Sequence, residues 1–384
     1  MYRQTYVEID NSIIEANAAL MCKLFPHKYN IAVVKGNAYG HGYGVIPAMI
    51  RGGMNAFCVS KLEEALLVRK EQKEYPVIML QPVRPEFLNV CEENDISVCV
   101  NDKDTLNDIE KSGLKLKLQF KVDCGMNRLG FKDKEELTEC VNKALNSGNL
   151  YVEGIFSHFH TNGLEDLEYE NNKLRFEELT KDIDLSKIPM VHVDRTQTVF
   201  LHDCPEFANG ARIGVSLYGF TTIYPYKDNI KGKIRKLQRE IKNKRSGVKP
   251  TKPLKYYDVK QAFTLYTEVI QVKDVNPGEY VGYGLFHKAT EKEKIAVIDI
   301  GYADGIGRKR YRSNVAINGK KYPIIGEVGM GMCEVLVDKD VKKYDKVTVL
   351  GGDIPISSIT RHVGTTMYEL LTNVDSAIPR TYVN

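Results

Sequence analysis

No stretch of the chain approaches the roughly 18 consecutive apolar residues that a membrane-crossing helix needs, which excludes a helical membrane protein. The start, MYRQTYVEID, lacks the basic and apolar regions of a secretory leader, so a soluble cytoplasmic protein is expected. Cysteine is sparse: the eight thiols at 22, 58, 91, 99, 124, 140, 204 and 333 form no C-x-x-C pair and lack the density of a stapled secreted domain. They read as reduced, small core hydrophobes, and no metal site is expected. An excess of one charge is missing too, since 54 basic against 50 acidic residues leave +4, too little to argue by itself for a nucleic-acid or membrane surface. With 43% apolar and 27% charged residues the chain is neither disordered, nor a coiled coil, nor collagen-like.

What is present is length and repetition. At 384 residues the chain exceeds the single-core limit of about 250 to 300, so more than one domain is expected. Eight short apolar runs, 31–35, 55–59, 76–80, 96–100, 116–122, 151–156, 189–193 and 211–218, alternate with helical periodicity. That count predicts an α/β fold, an N-terminal (β/α)8 TIM-type barrel over 1–222, with chemistry at the C-terminal ends of its strands. Ser12-Ile-Ile-Glu15 reads as a capping box opening a helix that runs to about Phe25, ahead of the first barrel strand. From 261 to 384 short alternating segments broken by Gly, Pro, Asn and Asp predict a mainly-β domain closed by a helix near Ser357–Leu371.

Between them, 223–260 is a basic insertion. From Lys227 to Lys260, thirteen Lys or Arg face three acids, a net +10 that leaves −6 for the remainder. Its centre, KIRKLQREIKNKR, places Ile234, Leu237 and Ile241 on one side of a helix. One reading is a solvated insertion docked through that stripe. The other is a patch for RNA, a membrane or an acidic partner, whose binding weakens as salt rises.

Chemistry is concentrated where the first apolar run ends, in Val33-Val34-Lys35-Gly36-Asn37-Ala38-Tyr39-Gly40-His41-Gly42. A lysine at a barrel rim can lose water, depress its pKa and form a Schiff base, or it can snorkel to solvent. The segment VVKGNAYGHG resembles the cofactor-lysine motif of the alanine racemase family, fold-type III pyridoxal phosphate amino-acid racemases, and the resemblance extends over nearly the whole chain. It implies pyridoxal 5'-phosphate as cofactor, Lys35 as the lysine that holds it, and a head-to-tail homodimer. In that dimer Tyr283, from Val281-Gly282-Tyr283-Gly284, serves as the second base for the other subunit's lysine. On its own Tyr283 is a turn tyrosine between two glycines.

Further motifs follow in the family's order. Arg212 opens R-I-G-V-S-L-Y-G and by resemblance faces the pyridine nitrogen, although alone it reads equally as an interstrand ion-pair residue. His158, in I-F-S-H-F, matches a family histidine beside that arginine; without its neighbours it is a satisfied barrel histidine. Lys121 and Arg128, in K-V-D-C-G-M-N-R-L-G, match a carbamylated lysine and the arginine it steadies near the substrate carboxylate. Met330 should offer its backbone N–H to that carboxylate. Thr196, Gly214, Val215 and Tyr39 occupy the phosphate-binding positions.

Departures concern specificity. Arg195-Thr196 replaces the usual Asn-Ser, and Gly331 stands where the family has a carboxylate. Ser376 replaces a pocket-narrowing tyrosine. In the access corridor Tyr302 and Arg308 match, whereas Gly163 and Glu327 replace a usual Asp and Arg. Racemisation of alanine with tolerance for larger or cationic amino acids is therefore expected, Glu327 being a candidate partner for the latter. The alternatives are a racemase of serine, lysine or ornithine, a related pyridoxal phosphate decarboxylase, and a degenerate racemase acting as a binding or regulatory protein. No membrane partner is expected, and a nucleic-acid partner is disfavoured but left open by the basic insertion 227–260.

Overall fold

The computed structural model describes residues 4–161, 166–221, 229–248 and 257–384. Gly163 and the insertion segments 222–228 and 249–256 lie outside the described residues. Two compact units interleave along the chain: one holds Ile14–Lys35 and Ile46–Lys260, the other Met1–Ile13, Gly36–Val45 and Gln261–Asn384.

The first unit is a closed barrel of eight parallel strands: Tyr29–Val33, Ala56–Val59, Val77–Met79, Ile96–Val100, Leu116–Val122, Leu150–Ser157, Met190–Arg195 and Gly210–Ile213. Strands of this kind are dry on both faces and so read as continuous apolar runs. Ala56–Val59 and Ile96–Val100 are buried at every position. Caps set the helix limits between them. The Asp102 carboxylate accepts from the Thr105 N–H at 2.8 Å to open Lys103–Ser112, and Gly113, at φ 69°, ends it. The eighth run is a strand only as far as Ile213; beyond Gly214, Val215–Tyr218 coils into a 3-10 turn. Six of the eight cysteines are buried and none forms a disulfide. Burial pushes thiols such as Cys58 up to about 12, too weakly acidic to react.

The second unit carries an eight-stranded, mainly antiparallel sheet. Its spatial order is Glu293–Ile298, Cys333–Val337, Lys320–Ile325, Asn314–Ile317, Lys346–Leu350, Phe263–Val275, Tyr6–Asp10 and Arg380–Val383. Along Phe263–Val269 buried and half-buried positions alternate, the pattern of a sheet with one covered face. Asn318 and Gly319, both at positive φ, close the hairpin between Asn314–Ile317 and Lys320–Ile325. Three differences from the sequence reading have local causes. Tyr6–Asp10, which the sequence reading places within the 1–222 barrel segment, pairs with the C-terminal sheet, with Val7 and Ile9 buried and their neighbours half-buried, an alternation foreign to barrel strands. The helix after it, Asn11–Leu24, is capped by Asp10 rather than Ser12: the Asp10 carboxylate accepts from the Ser12 N–H at 2.9 Å. The closing helix is two, Ile356–Val363 and Met367–Thr372, because Gly364 turns left-handed at φ 73°.

The insertion forms one helix, Ile230–Ser246, capped by Asn229 and ended by Gly247 at φ 70°. Among the described residues, it does not dock through its apolar stripe. Gly232 and Asn243 are its buried residues, and the Arg239 side chain pairs with Asp166. Ile230, Ile234, Leu237 and Ile241 are exposed. No described helix is long and apolar enough to cross a membrane.

Candidate active site

The barrel mouth is organised around Arg212, a fully charged group placed in a dry interior and therefore in need of partners. Its Nη1 donates to the His192 carbonyl at 2.6 Å and to His192 Nδ1 at 2.7 Å. Its Nη2 donates to the carbonyls of Ser157 at 2.5 Å and Val193 at 3.1 Å. Burial pushes the guanidinium down to about 10, which leaves it charged at neutral pH. Because arginine only donates, His192 Nδ1 must accept, so the ring proton sits on Nε2. That N–H points to Gln119 Oε1 at 3.1 Å, which leaves Gln119 Nε2 to donate to Glu153 at 2.9 Å. Ser97 Oγ donates to the same carboxylate at 2.5 Å. A hydrogen-bond chain thus crosses the barrel interior from Glu153 to Arg212. The sequence reading missed His192, Gln119 and Glu153; their signal was a polar residue in the middle of an apolar strand.

Lys121 is two residues beyond Gln119 on the same strand and so faces the same side. It is buried, with Nζ 4.9 Å from the centroid of Phe156, whose ring also lies 5.5 Å from the Arg212 guanidinium. Burial, reinforced by the Arg212 charge, pushes the Lys121 amine down to about 8. Burial and the charges of Arg212, Arg195, Lys121 and Arg128 hold His158 well below the usual imidazole range, so it is neutral. Arg128 stands exposed in the loop that the Asp123 carboxylate shapes by accepting the N–H groups of Gly125 and Asn127, each at 3.0 Å. Thr196 is buried and its hydroxyl accepts the Gly214 N–H at 2.9 Å, so the ends of the seventh and eighth strands are joined where Val215 begins its turn. Arg195 donates from Nη1 to Gln197 at 2.5 Å and from Nη2 to the Thr161 carbonyl.

Lys35 follows the first barrel strand, half-buried, at the point where the chain leaves one unit for the other. The next four residues, Gly36, Asn37, Ala38 and Tyr39, all have φ between 50° and 65°, a left-handed turn that costs L-residues roughly 1–2 kcal/mol each. Partners within the second unit hold it. Gly40 N–H reaches the Gly36 carbonyl at 2.9 Å, Arg380 Nε reaches the Gly40 carbonyl at 3.2 Å, and the Tyr39 ring lies 5.9 Å from Tyr368. A Cβ on Gly40 would sit 2.2 Å from the Leu371 carbonyl oxygen.

The second unit assembles the remaining candidates. Tyr283, between Gly282 and Gly284 at φ 69° and 74°, is 73% exposed and bridges to Glu327 through the backbone. Arg308 pairs with the Glu327 carboxylate, which is therefore already engaged and not waiting for a cationic side chain. The Tyr302 N–H reaches the Gly329 carbonyl and the Ala303 N–H the Met330 carbonyl, each at 2.9 Å, with the Met330 side chain exposed. Asp375 N–H donates to the Asp304 carbonyl at 3.2 Å, which sets the exposed Ser376 beside the Tyr302–Asp304 turn. A Cβ at Gly331 would meet nothing within 4 Å.

Family models match both parts of the chain. Residues 9–222 match the alanine racemase N-terminal domain and residues 262–382 the alanine racemase C-terminal domain. The alanine racemase of Listeria innocua serovar 6a is 31% identical over 392 residues, covering 100% of this chain and 99% of that protein. That of Geobacillus kaustophilus is 31% identical over 391 residues, covering 99% and 95%. The crystal structure of the alanine racemase from E. faecalis superposes with a TM-score of 0.85 at 29% identity, covering 100% of this chain and 99% of that one.

Proposed function

Because the chain belongs to the alanine racemase family and is an amino-acid racemase, we propose that it interconverts L- and D-alanine with pyridoxal 5'-phosphate by two bases, Lys35 and the Tyr283 phenol of a second copy in a homodimer. The observation that carries this reading is the concentration of positive charge at the barrel mouth. Arg212, Arg195, Lys121 and Arg128 all act on His158, whose imidazole burial and their charges hold neutral. Such a site fits an anionic phosphate and a substrate carboxylate.

When bound, the cofactor supplies an electron sink conjugated to the substrate's amino group. The chain's own groups do the rest. The Lys35 amine holds the cofactor and moves a proton on one face of the α-carbon, while the Tyr283 phenol moves one on the other. Arg212, still protonated at neutral pH, would face the pyridine nitrogen as a donor only, with the His192 chain fixing its plane. Thr196, Gly214, Val215 and Tyr39 would hold the phosphate. Arg128, which Lys121 would steady once its amine carries a carbamate, and the Met330 N–H would receive the substrate carboxylate.

Specificity broader than alanine rests on Ser376 and on the open space at Gly331, since Arg308 occupies Glu327. The deciding experiment is exchange of the α-hydrogen in deuterium oxide for alanine, serine, ornithine and lysine, with chiral analysis of products. Racemisation of alanine, abolished in Lys35→Ala and Tyr283→Phe, is expected, with exchange in Tyr283→Phe confined to one enantiomer. Racemisation that persists in both variants refutes the two-base assignment.

A further inference from the structure

At about 3.6 residues per turn, Ile230, Ile234, Leu237 and Ile241 fall within about 60° of one another on the insertion helix. Gly232, Arg239 and Asn243 fall on the opposite side, about 180° away. That opposite side is the docked one: Arg239 and Asn243 hold the Asp166 carboxylate. Among the described residues nothing covers the apolar stripe, whose members are 78%, 49%, 55% and 43% exposed in chain order. The helix is thus fixed by polar groups and presents aliphatic ones outward, the reverse of an ordinary surface helix.

We propose that this stripe is a docking surface for an acidic amphipathic helix of a partner protein. Spacings of 4, 3 and 4 residues are those of a coiled-coil seam, which one further helix can continue. Cations flank the seam on both sides, Lys231, Lys242 and Arg245 on one and Lys233 and Lys244 on the other. Eight Lys or Arg against Glu240 give the helix a net +7. A second copy of this chain would meet its own charge there, which disfavours self-association. A bilayer is less suited, because four aliphatic residues in a narrow arc, with no aromatic among them, offer less than the broad apolar face of interfacial helices. Nucleic acid would use the cations and leave the aliphatic row without purpose. Glutamates at the positions flanking a partner's own aliphatic seam would answer both features.

The test uses the full-length protein and a fluorescent synthetic helix of about three heptads, with leucine at the seam and glutamate on both flanks. Binding with a Kd in the micromolar range is expected, weakening by about tenfold or more in Leu237→Asp and in the double reversal Lys242→Glu/Arg245→Glu. It should also weaken as salt rises from about 0.05 to about 0.3 M, and racemase activity should not change in these variants. Binding that is absent, or equal in the Leu237→Asp protein, overturns the proposal. So does capture by phosphatidylglycerol vesicles without capture of the peptide, or a larger oligomer in sedimentation that Leu237→Asp dissociates, which would assign the stripe to a membrane or to a second copy.

Discussion

Arg239 closes on Asp166 through two nitrogens, Nε at 2.8 Å and Nη2 at 2.5 Å, and the carboxylate they share is fully buried. Asn243 adds a third donor at 2.5 Å, and His202 Nε2 stands 3.7 Å away. Bidentate geometry makes this pair stronger than a surface bridge, but its energetic weight lies in what remains if one partner is lost. Arg239→Ala would strand a buried anion and should cost about 3–5 kcal/mol in urea denaturation, whereas Arg239→Met combined with Asp166→Asn should cost far less. A loss below about 1 kcal/mol for the single change would mean that water reaches Asp166.

A second consequence concerns pH. The Lys121 amine lies at about 8 in the folded chain against an ordinary 10.5. Below pH 8 both folded and unfolded chains hold the proton, and the folded state bears the full cost of burying the charge, on the order of 3 kcal/mol. Between about 8 and 10.5 the unfolded chain binds more protons than the folded one, so this contribution to stability rises with pH. Lys121→Met should therefore stabilise the protein at pH 7 and lose that advantage toward pH 10, as followed by denaturation of both proteins at each pH. A neutral amine is also what carbon dioxide needs in forming a carbamate. Labelled bicarbonate should give a carbamate NMR signal that grows toward pH 8 and is absent from the variant.

The eight barrel strands were legible because strands dry on both faces print themselves as apolar runs, and the β domain because one covered face prints alternation. The loop at Lys35 was legible as a motif, yet its left-handed turn from Gly36 to Tyr39 was not, since only Gly36 and Asn37 favour positive φ and Ala38 and Tyr39 do not. Tyr6–Asp10 showed its alternation, but alternation does not say which sheet a strand joins across more than two hundred residues. The insertion helix inverted the reading most fully. Periodicity assigns the apolar side inward, and only the fold shows that Asp166, 73 residues before Arg239, makes the polar side the docked one. The His192–Gln119–Glu153 chain was hidden for a related reason: each residue is one polar letter in an apolar run, and their convergence is a property of barrel closure.

Two glycines of the second unit should respond oppositely to substitution. Gly40 has φ 83°, and a Cβ there would lie 2.2 Å from a main-chain oxygen, Leu371 O, which cannot yield without moving its helix. Gly40→Ala should lower stability by more than about 1 kcal/mol and impair activity, because the left-handed turn after Lys35 is seated on that contact. Gly331 has no neighbour within 4 Å of a built Cβ and no positive φ, so Gly331→Asp should leave thermal stability within about 0.5 kcal/mol of the parent. Its effect should appear in substrate choice: a carboxylate filling that space would lower kcat/KM for serine and ornithine relative to alanine. Parallel melting curves and a substrate panel on the two variants separate these outcomes, and an unchanged ratio in Gly331→Asp would show that this position does not set pocket size.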